Sequence, residues 1–560
     1  MSARMDLRAV LVAAMVSMAA TVSAAAQAPG EGQDLRSRNP VNAFAFIPPQ
    51  CYTKTRTKGE VHNPCYTCHI RPVVPNYVND GDLQTLYDFP DPALGNPWTN
   101  MFLDRRPAIA ALPDDAILAY VRTDNYRNEK GEPELAARLA HPPAGWDING
   151  DGHWSGYVPD IHFTFDTEGY DVGPDGTRTG WRAYGYLPLP GSFLPANGSA
   201  DDVIIRLPEA FRQDEGGRTD WAIYQVNLAI VEALITRTDV MIPVTDEVAL
   251  QVDLDRDGKL ATATRIVFAF DPRNGVTMSY VGRARLAQGN SEVHLAAGLF
   301  PEGTEFVHSL RYLDVTAAGT IIPAARFKEL RYARKLGWRT YSSLQEQAMN
   351  DLREERLNPD DPEAFPGDVE SGIATGTGWR YQGFIEDAAG YLRPQTYEES
   401  LTCAGCHAGT GRPTDTIYSY PRKVPAPDFG WFHWGEGHAL GDQPDPARPA
   451  GVTDAGAGEY ATYLRRNHGS DEFRANDEAL ARFFPGGKLD AAAIAELTRH
   501  IRPITDPSVR RALDLNKAYR LIVEEQSYDK GRSPVIAPMD DVVWRALKPE
   551  TATGIEAPVD

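Results

Sequence analysis

The sequence predicts an α+β fold in which mostly helical, loop-rich segments flank a strand-rich middle domain. Three observations lead to this prediction. Prolines crowd the region before residue 140, alternating apolar and polar residues dominate about 145–330, and helical patterns return from about residue 341. A chain of 560 residues is too long for one core, so we expect several domains.

The predicted division of the chain follows these shifts in composition. A signal peptide covers 1–26, a loop-rich segment 27–140, the strand-rich domain 141–330, and a helical domain 331–560. Arg4 and Arg8, the apolar stretch after them and the small residues at 24–26 indicate the signal peptide. We therefore expect a bacterial periplasmic or secreted protein that does not span the membrane after cleavage, with an uncleaved anchor as the alternative.

Individual elements are predicted from local patterns. Amphipathic spacing with acidic or capping starts predicts helices at about 114–122, 220–236, 341–356 and 490–500, and from Asp506-Pro507 to about 525. Period-two alternation predicts strands at 161–166, 248–254, 265–270 and 306–313. The strands fall in the middle region and most of the helices outside it, which gives the predicted α+β order.

Two copies of the pattern C-x-x-C-H are the most specific chemical signal in the chain. They read Cys65-Tyr66-Thr67-Cys68-His69 and Cys403-Ala404-Gly405-Cys406-His407, and use four of the five cysteines. Two thiols at this spacing can each bond one vinyl group of the same porphyrin, and the adjacent histidine can bind its iron. At these two motifs the sequence resembles c-type cytochromes.

This resemblance implies two covalently bound c-type haems. The first would be held by Cys65 and Cys68 with His69 on its iron, and the second by Cys403 and Cys406 with His407. The alternatives are a zinc site shared by the two cysteine pairs, or two short disulfides. Zinc would not require the histidine that follows each pair, so haem is the favoured interpretation.

The second axial ligand of each iron decides between electron transfer and catalysis. Met101 and His62 are candidates for the first haem, and His433, His438 or His468 for the second. The fifth cysteine, Cys51, has no partner in the motifs. We consider it a haem ligand, a reactive thiol, one half of an intermolecular disulfide, or a small buried side chain.

Two acidic loops match the beginning of a calcium-binding loop, D-x-[DN]-x-D-G. The oxygen ligands would be Asp147, Asn149 and Asp151 in the first loop and Asp253, Asp255 and Asp257 in the second. The glutamate expected at position 12 is replaced by Val158 and Thr264, although Asp160 could supply a carboxylate to the first loop. The alternative is an Asp/Gly-rich turn without a metal.

A formal charge of −21 makes nucleic acid a poor partner and favours a basic redox protein of the periplasm. The sequence therefore predicts an exported dihaem protein that carries electrons. The alternative is a dihaem oxidoreductase that acts on a small substrate, such as peroxide or a sulfur compound, at one haem. A third hypothesis is a binding module whose middle domain docks a partner.

Overall fold

The computed structural model describes residues 34–57, 59–183, 187–189, 194–417, 440–448, 454–467 and 476–560. In this part of the chain the fold is mixed α+β and strand-rich, which confirms the predicted class at that level. The predicted signal peptide lies outside the described residues. None of the described helices is long and apolar enough to cross a membrane.

The strands have the following bounds: β1 Arg56–Thr57, β2 Glu60–Val61, β3 Leu86–Tyr87, β4 Tyr170–Val172, β5 Arg178–Ala183, β6 Ala200–Arg206, β7 Val240–Asp246, β8 Thr262–Ile266, β9 Glu305–Val315, β10 Ile321–Lys335, β11 Gly367–Asp368, β12 Gly372–Ala374, β13 Trp379–Glu386, β14 Leu392–Pro394 and β15 Thr551–Ala552. Nine of them form one antiparallel sheet in the order β11-β12-β13-β10-β9-β6-β5-β4, with β14 beside β13. The sheet thus continues past residue 330, the predicted end of the strand-rich domain.

The helices in the described residues are α1 Arg106–Ala111, α2 Asp114–Arg122, α3 Glu134–Leu139, α4 Trp221–Thr236, α5 Glu247–Leu250, α6 Arg283–Gly289, α7 Tyr341–Leu357, α8 Tyr397–His407, α9 Glu459–Asn467, α10 Asp477–Phe483, α11 Ala491–Glu496, α12 Arg502–Thr505 and α13 Val509–Glu525. The predicted helices at 114–122, 220–236 and 341–356 are confirmed. Each begins where the sequence signal lies; for example, Asp220 caps α4 by accepting from the amides of Ala222 and Ile223.

Two strand predictions were wrong, because carboxylate side chains accept hydrogen bonds from several amides that a regular strand would donate to its neighbour. In 161–166, the amides of His162 and Thr164 donate to the Asp171 carboxylate, and Phe163 has a φ of 53°. In 248–254, the Asp246 carboxylate caps the short helix α5, which replaces the strand. The strand predicted at 306–313 is confirmed as part of β9, whereas β8 ends at Ile266, near the start of the run predicted at 265–270.

Differences also occur in the C-terminal region. The predicted helix at 490–500 ends at Glu496, and α13 is capped by Ser508 rather than by Asp506. Strands β11–β14 lie in the part predicted to be helical. Of these strands, β13 pairs with β10, a partner that lies more than 40 residues before it and leaves no local signal, and the others join the sheet through β13.

One face of the large sheet is important for the site. Strand register puts His308 of β9 opposite Arg331 of β10 and Val203 of β6, and Ala333 opposite Tyr381 of β13. Directly paired residues share a face, and side chains two apart along a strand do too. These side chains therefore form one surface, against which α8 packs through β12 and β13.

Candidate functional site

Both C-x-x-C-H motifs line a single cavity of about 1460 Å³. The shared sheet face forms one wall, through Val203, His308, Arg331 and Tyr381 among others. Helix α7 and the loops around residues 46–51 and 77–90 form the rest of the enclosure. Segments that are far apart in the sequence thus bring six motif side chains to one cavity.

The first motif is held in a tight turn that fixes its histidine. A 3₁₀ turn covers Cys65–Thr67, and the His69 amide donates to the Cys65 carbonyl over 2.8 Å. The His69 Nδ1 lies 2.8 Å from the Asp80 carboxylate. A ring N–H donated to a carboxylate fixes the imidazole tautomer and leaves Nε2 with its lone pair, the form in which histidine binds metals.

The second motif occupies the C-terminal half of α8. Thr396 and Glu399 form a capping box at the start of this helix, and Arg393 makes a buried ion pair with Glu399 at 2.8 Å. At the other end, the His407 Nδ1 lies 2.8 Å from the Thr416 carbonyl oxygen. A carbonyl can only accept, so His407 also keeps the lone pair on Nε2.

A strained turn supplies this carbonyl. Asp415 and Thr416 have positive φ angles of 50° and 59°, a rare conformation for a β-branched residue. The buried ammonium of Lys335 holds the turn through an ion pair of 2.6 Å with Asp415. The same Thr416 carbonyl accepts from Tyr381, whose ring stacks on His407 with a centroid distance of 4.8 Å.

The two motifs are also packed against each other. Asp80, the partner of His69, accepts a 2.9 Å hydrogen bond from the amide of Gly411, four residues after His407. Gly405 lies so close to the segment before the first motif that a Cβ there would stand 2.0 Å from the Phe46 carbonyl oxygen. The glycine between the two cysteines is therefore required for this close approach.

Burial keeps the second motif uncharged. It raises the pKa of the Cys403 thiol, and it raises that of Cys406 to about 12 with a contribution from the charge of Cys68. Burial also lowers the pKa of His407 to about 4. The site thus presents neutral thiols and a neutral imidazole at pH 7, unlike an activated catalytic cysteine.

The residues present fit two haems better than zinc. Among the described residues, the only close group of three or more potential metal-binding side chains is Glu247, Asp253 and Asp255, so the motif cysteines do not converge on one ion. Met349 and Leu352 of α7 line the cavity yet are 56% and 40% exposed. A large apolar ring in the cavity would cover both side chains.

The methionine and histidine side chains predicted as second axial ligands of the haem irons are not among the described residues of the cavity wall. Met101 and His62 are both buried, and neither belongs to the described cavity wall. His433, His438 and His468 lie outside the described residues.

Cys51 lines the cavity, and so do two residues that sequence reasoning did not select, His308 and Lys328. The alternation of β9 was the available signal for His308, because it puts this side chain on the same face as Phe306 and Leu310.

The first acidic loop is closed by its own hydrogen bonds. The Asp147 carboxylate accepts from the amides of Gly150 and Gly152, both at 2.7 Å, and Asn149 donates to Asp151. Asp160 does not join the loop, because it accepts from the Trp181 indole and pairs with Arg206. The loop therefore has the contacts of an Asp/Gly-rich turn.

In the second loop, Asp253 and Asp255 are joined by Glu247, a residue the sequence pattern did not indicate. Glu247 is buried at the start of α5, where it accepts from the amides of Leu254 and Ala261. One buried oxygen of Asp253 has no hydrogen-bond partner in the described residues. The carboxylate of Asp257 instead accepts a hydrogen bond from the amide of Lys259.

Comparisons with known proteins place this chain in a lipoprotein family. A family model described as a "-like lipoprotein" matches residues 34–502, and the chain belongs to that family. An uncharacterized lipoprotein of Aquifex aeolicus (strain VF5) is 31% identical over 542 residues, which cover 89% of this chain and 87% of the relative. No solved structure matches the chain.

The assignment to the c-type cytochromes was therefore wrong at the level of the family. The matching model describes lipoproteins, and the resemblance is confined to the two short motifs. The predicted location is confirmed, because bacterial lipoproteins are exported: the protein is periplasmic or secreted.

Proposed function

We propose that this exported protein binds two haems covalently, one at each C-x-x-C-H motif, and transfers electrons through them. The observation that carries the proposal is the single cavity lined by both motifs. In each motif the histidine Nδ1 lies 2.8 Å from an oxygen acceptor, which leaves Nε2 for iron. Membership of a lipoprotein family says nothing against bound haem, since a family name describes the anchor and not the cofactor.

Bound haem would supply reversible one-electron chemistry. The residues of the chain would orient the histidine ligands and shield the haems from water. Asp80 and the Thr416 carbonyl fix the two imidazoles, while Met349 and Leu352 offer apolar cover. A pocket of this kind controls the redox potential through burial and through hydrogen bonds to the ligands.

The negative charge at the cavity mouth favours a basic redox partner. Six exposed acidic residues line it: Asp82, Asp88, Asp351, Glu354, Glu355 and Asp361. A seventh, Glu363, is only partly charged at neutral pH, because desolvation and the charges of Asp351 and Glu355 raise its pKa to about 7. A concentration of one sign of charge attracts a partner of the opposite sign and speeds its association at low salt. We propose that a cationic periplasmic electron carrier docks there.

One feature supports catalysis on a small substrate as a second candidate. The Lys328 side chain is buried in the cavity wall, where Nζ donates to the Gly198 carbonyl and to the Ser199 hydroxyl, at 3.1 Å for the hydroxyl. Burial lowers the pKa of Lys328 to about 7. An amine in this range can donate a proton to a bound substrate near neutral pH.

We also propose a structural calcium ion at Glu247, Asp253 and Asp255. Calcium prefers carboxylate oxygens, and the unpartnered Asp253 oxygen is the kind of group that it would satisfy. The cluster lies in the β7–β8 unit and outside the cavity wall, so its role would be to hold this loop.

The test of haem attachment is the intact mass of protein produced in a bacterium with a haem-attachment system. We expect the processed chain plus two haems. The double variant Cys403→Ala/Cys406→Ala should lose one haem, and Cys65→Ala/Cys68→Ala the other. Cys51→Ala is the matched control, because this cysteine lines the same cavity outside the motifs and should leave both haems attached. Protein that carries zinc and no haem would overturn the proposal.

A further inference from the structure

The cavity wall contains a histidine whose ring is hydrogen-bonded to a carboxylate, as the rings of metal-binding histidines commonly are. His308 projects from β9 on the sheet face that lines the cavity. Its Nε2 lies 2.9 Å from the carboxylate of Asp201, which is only 2% exposed. A carboxylate can only accept a hydrogen bond, so Nε2 is the nitrogen that carries the proton and Nδ1 carries the lone pair.

His308 and the second motif lie close together. Register sets His308 opposite Arg331, whose charge interacts with the thiols of Cys403 and Cys406. Two positions along β10 from Arg331, Ala333 lies opposite Tyr381, and the Tyr381 ring stacks on His407. Both imidazoles therefore line the same cavity next to this sheet face.

In both histidines, a hydrogen bond to one ring nitrogen fixes the orientation of the imidazole. His407 is held by the Thr416 carbonyl and by the Tyr381 ring, and His308 is held by Asp201. In metal sites, the ring nitrogen of a histidine that does not bind the metal typically donates a hydrogen bond. This hydrogen bond orients the ring and raises the basicity of the nitrogen that binds the metal. Of the other described histidines, His69 serves the first motif, and His62, His141, His153, His162, His294 and His500 are not part of the described cavity wall.

We propose that His308 is the second axial ligand of the haem bound at Cys403 and Cys406, opposite His407. The inference rests on the proposed haem binding. Two imidazole ligands close both axial positions, so this haem transfers electrons and does not bind substrate. Asp201 acts as a positioning residue that orients the His308 ring.

The experiment compares optical and paramagnetic resonance spectra of the two-haem protein and its His308→Ala variant. We expect half of the haem, the part bound at the second motif, to change from low spin to high spin. Added imidazole should restore the low-spin signal. His294→Ala is the matched control, because His294 also pairs with a carboxylate, that of Glu302, away from the cavity wall. It should leave the spectra unchanged.

The conservative variant His308→Met covers the case in which the alanine variant fails to fold. A thioether ligand keeps the iron low-spin and raises the reduction potential of one haem. Haem content in the same samples separates the two proposals. Two attached haems with spectra and potentials unaffected in both variants would overturn the ligand assignment alone. Protein without haem would overturn haem binding and this inference together.

Discussion

At the residue scale, the glycine inside the second motif has a steric role. A Cβ at Gly405 would stand 2.0 Å from the Phe46 carbonyl oxygen, a backbone atom that cannot rotate away. We predict that Gly405→Ala lowers the free energy of unfolding by about 1–3 kcal/mol, as overpacking does. Gly409→Ala is the control, because nothing lies within 4 Å of its Cβ position. Equal denaturant midpoints for the two variants would contradict this account.

A second residue-scale prediction concerns the pH dependence caused by Lys328. Its folded pKa of about 7 lies below the ordinary lysine value of 10.5, so the unfolded chain binds more protons between these values. Stability must then rise with pH across this window, by up to about 1.4 kcal/mol per unit. Lys328→Met should remove this rise in unfolding free energy between pH 7 and pH 9. The exposed control Lys548→Met should retain it, and a parallel pH profile for Lys328→Met and the parent would refute the assignment.

At the element scale, we predict that calcium stabilises the β7–β8 unit. A ligand that binds only the folded state adds about 2.7 kcal/mol at a hundredfold excess over its dissociation constant. Chelation should lower the melting temperature, and calcium should restore it. Asp253→Asn should abolish the response, whereas Asp257→Asn should keep it, because Asp257 lies outside the acidic group. A parent protein indifferent to chelation would disprove the site.

The elements also show how far the sequence predicts the fold. Helices α2, α4 and α7 follow from periodicity and from signals at their starts, an acidic first turn in α2 and a capping side chain in α4 and α7, because these signals are local. The segment 161–166 alternates like a strand, but two of its amides donate to the side chain of Asp171. The alternation of apolar and polar residues does not reveal this side-chain contact. Glu247 was missed for a similar reason, since it joins Asp253 only through the folding of α5.

At the scale of the whole molecule, the two motifs were readable in the sequence but their common cavity was not. Their convergence depends on contacts such as Asp80 with Gly411 and Gly405 with Phe46, which join segments more than 300 residues apart. No periodicity or spacing encodes a contact of this kind. The cavity wall contributed by the sheet was hidden in the same way, because Val203, His308 and Arg331 meet only through strand order.

The shared cavity leads to a prediction about the complete protein. If both haems occupy this one cavity, the charge and the unpaired spin of each iron act on the other iron over a short distance, so the two centres interact. We predict that the paramagnetic resonance spectra of Cys65→Ala/Cys68→Ala and Cys403→Ala/Cys406→Ala, each with one haem, do not add up to the parent spectrum. Circular dichroism of both variants controls for the fold. A sum that reproduces the parent spectrum would mean two isolated haems, and the cavity would then not bring the two irons together.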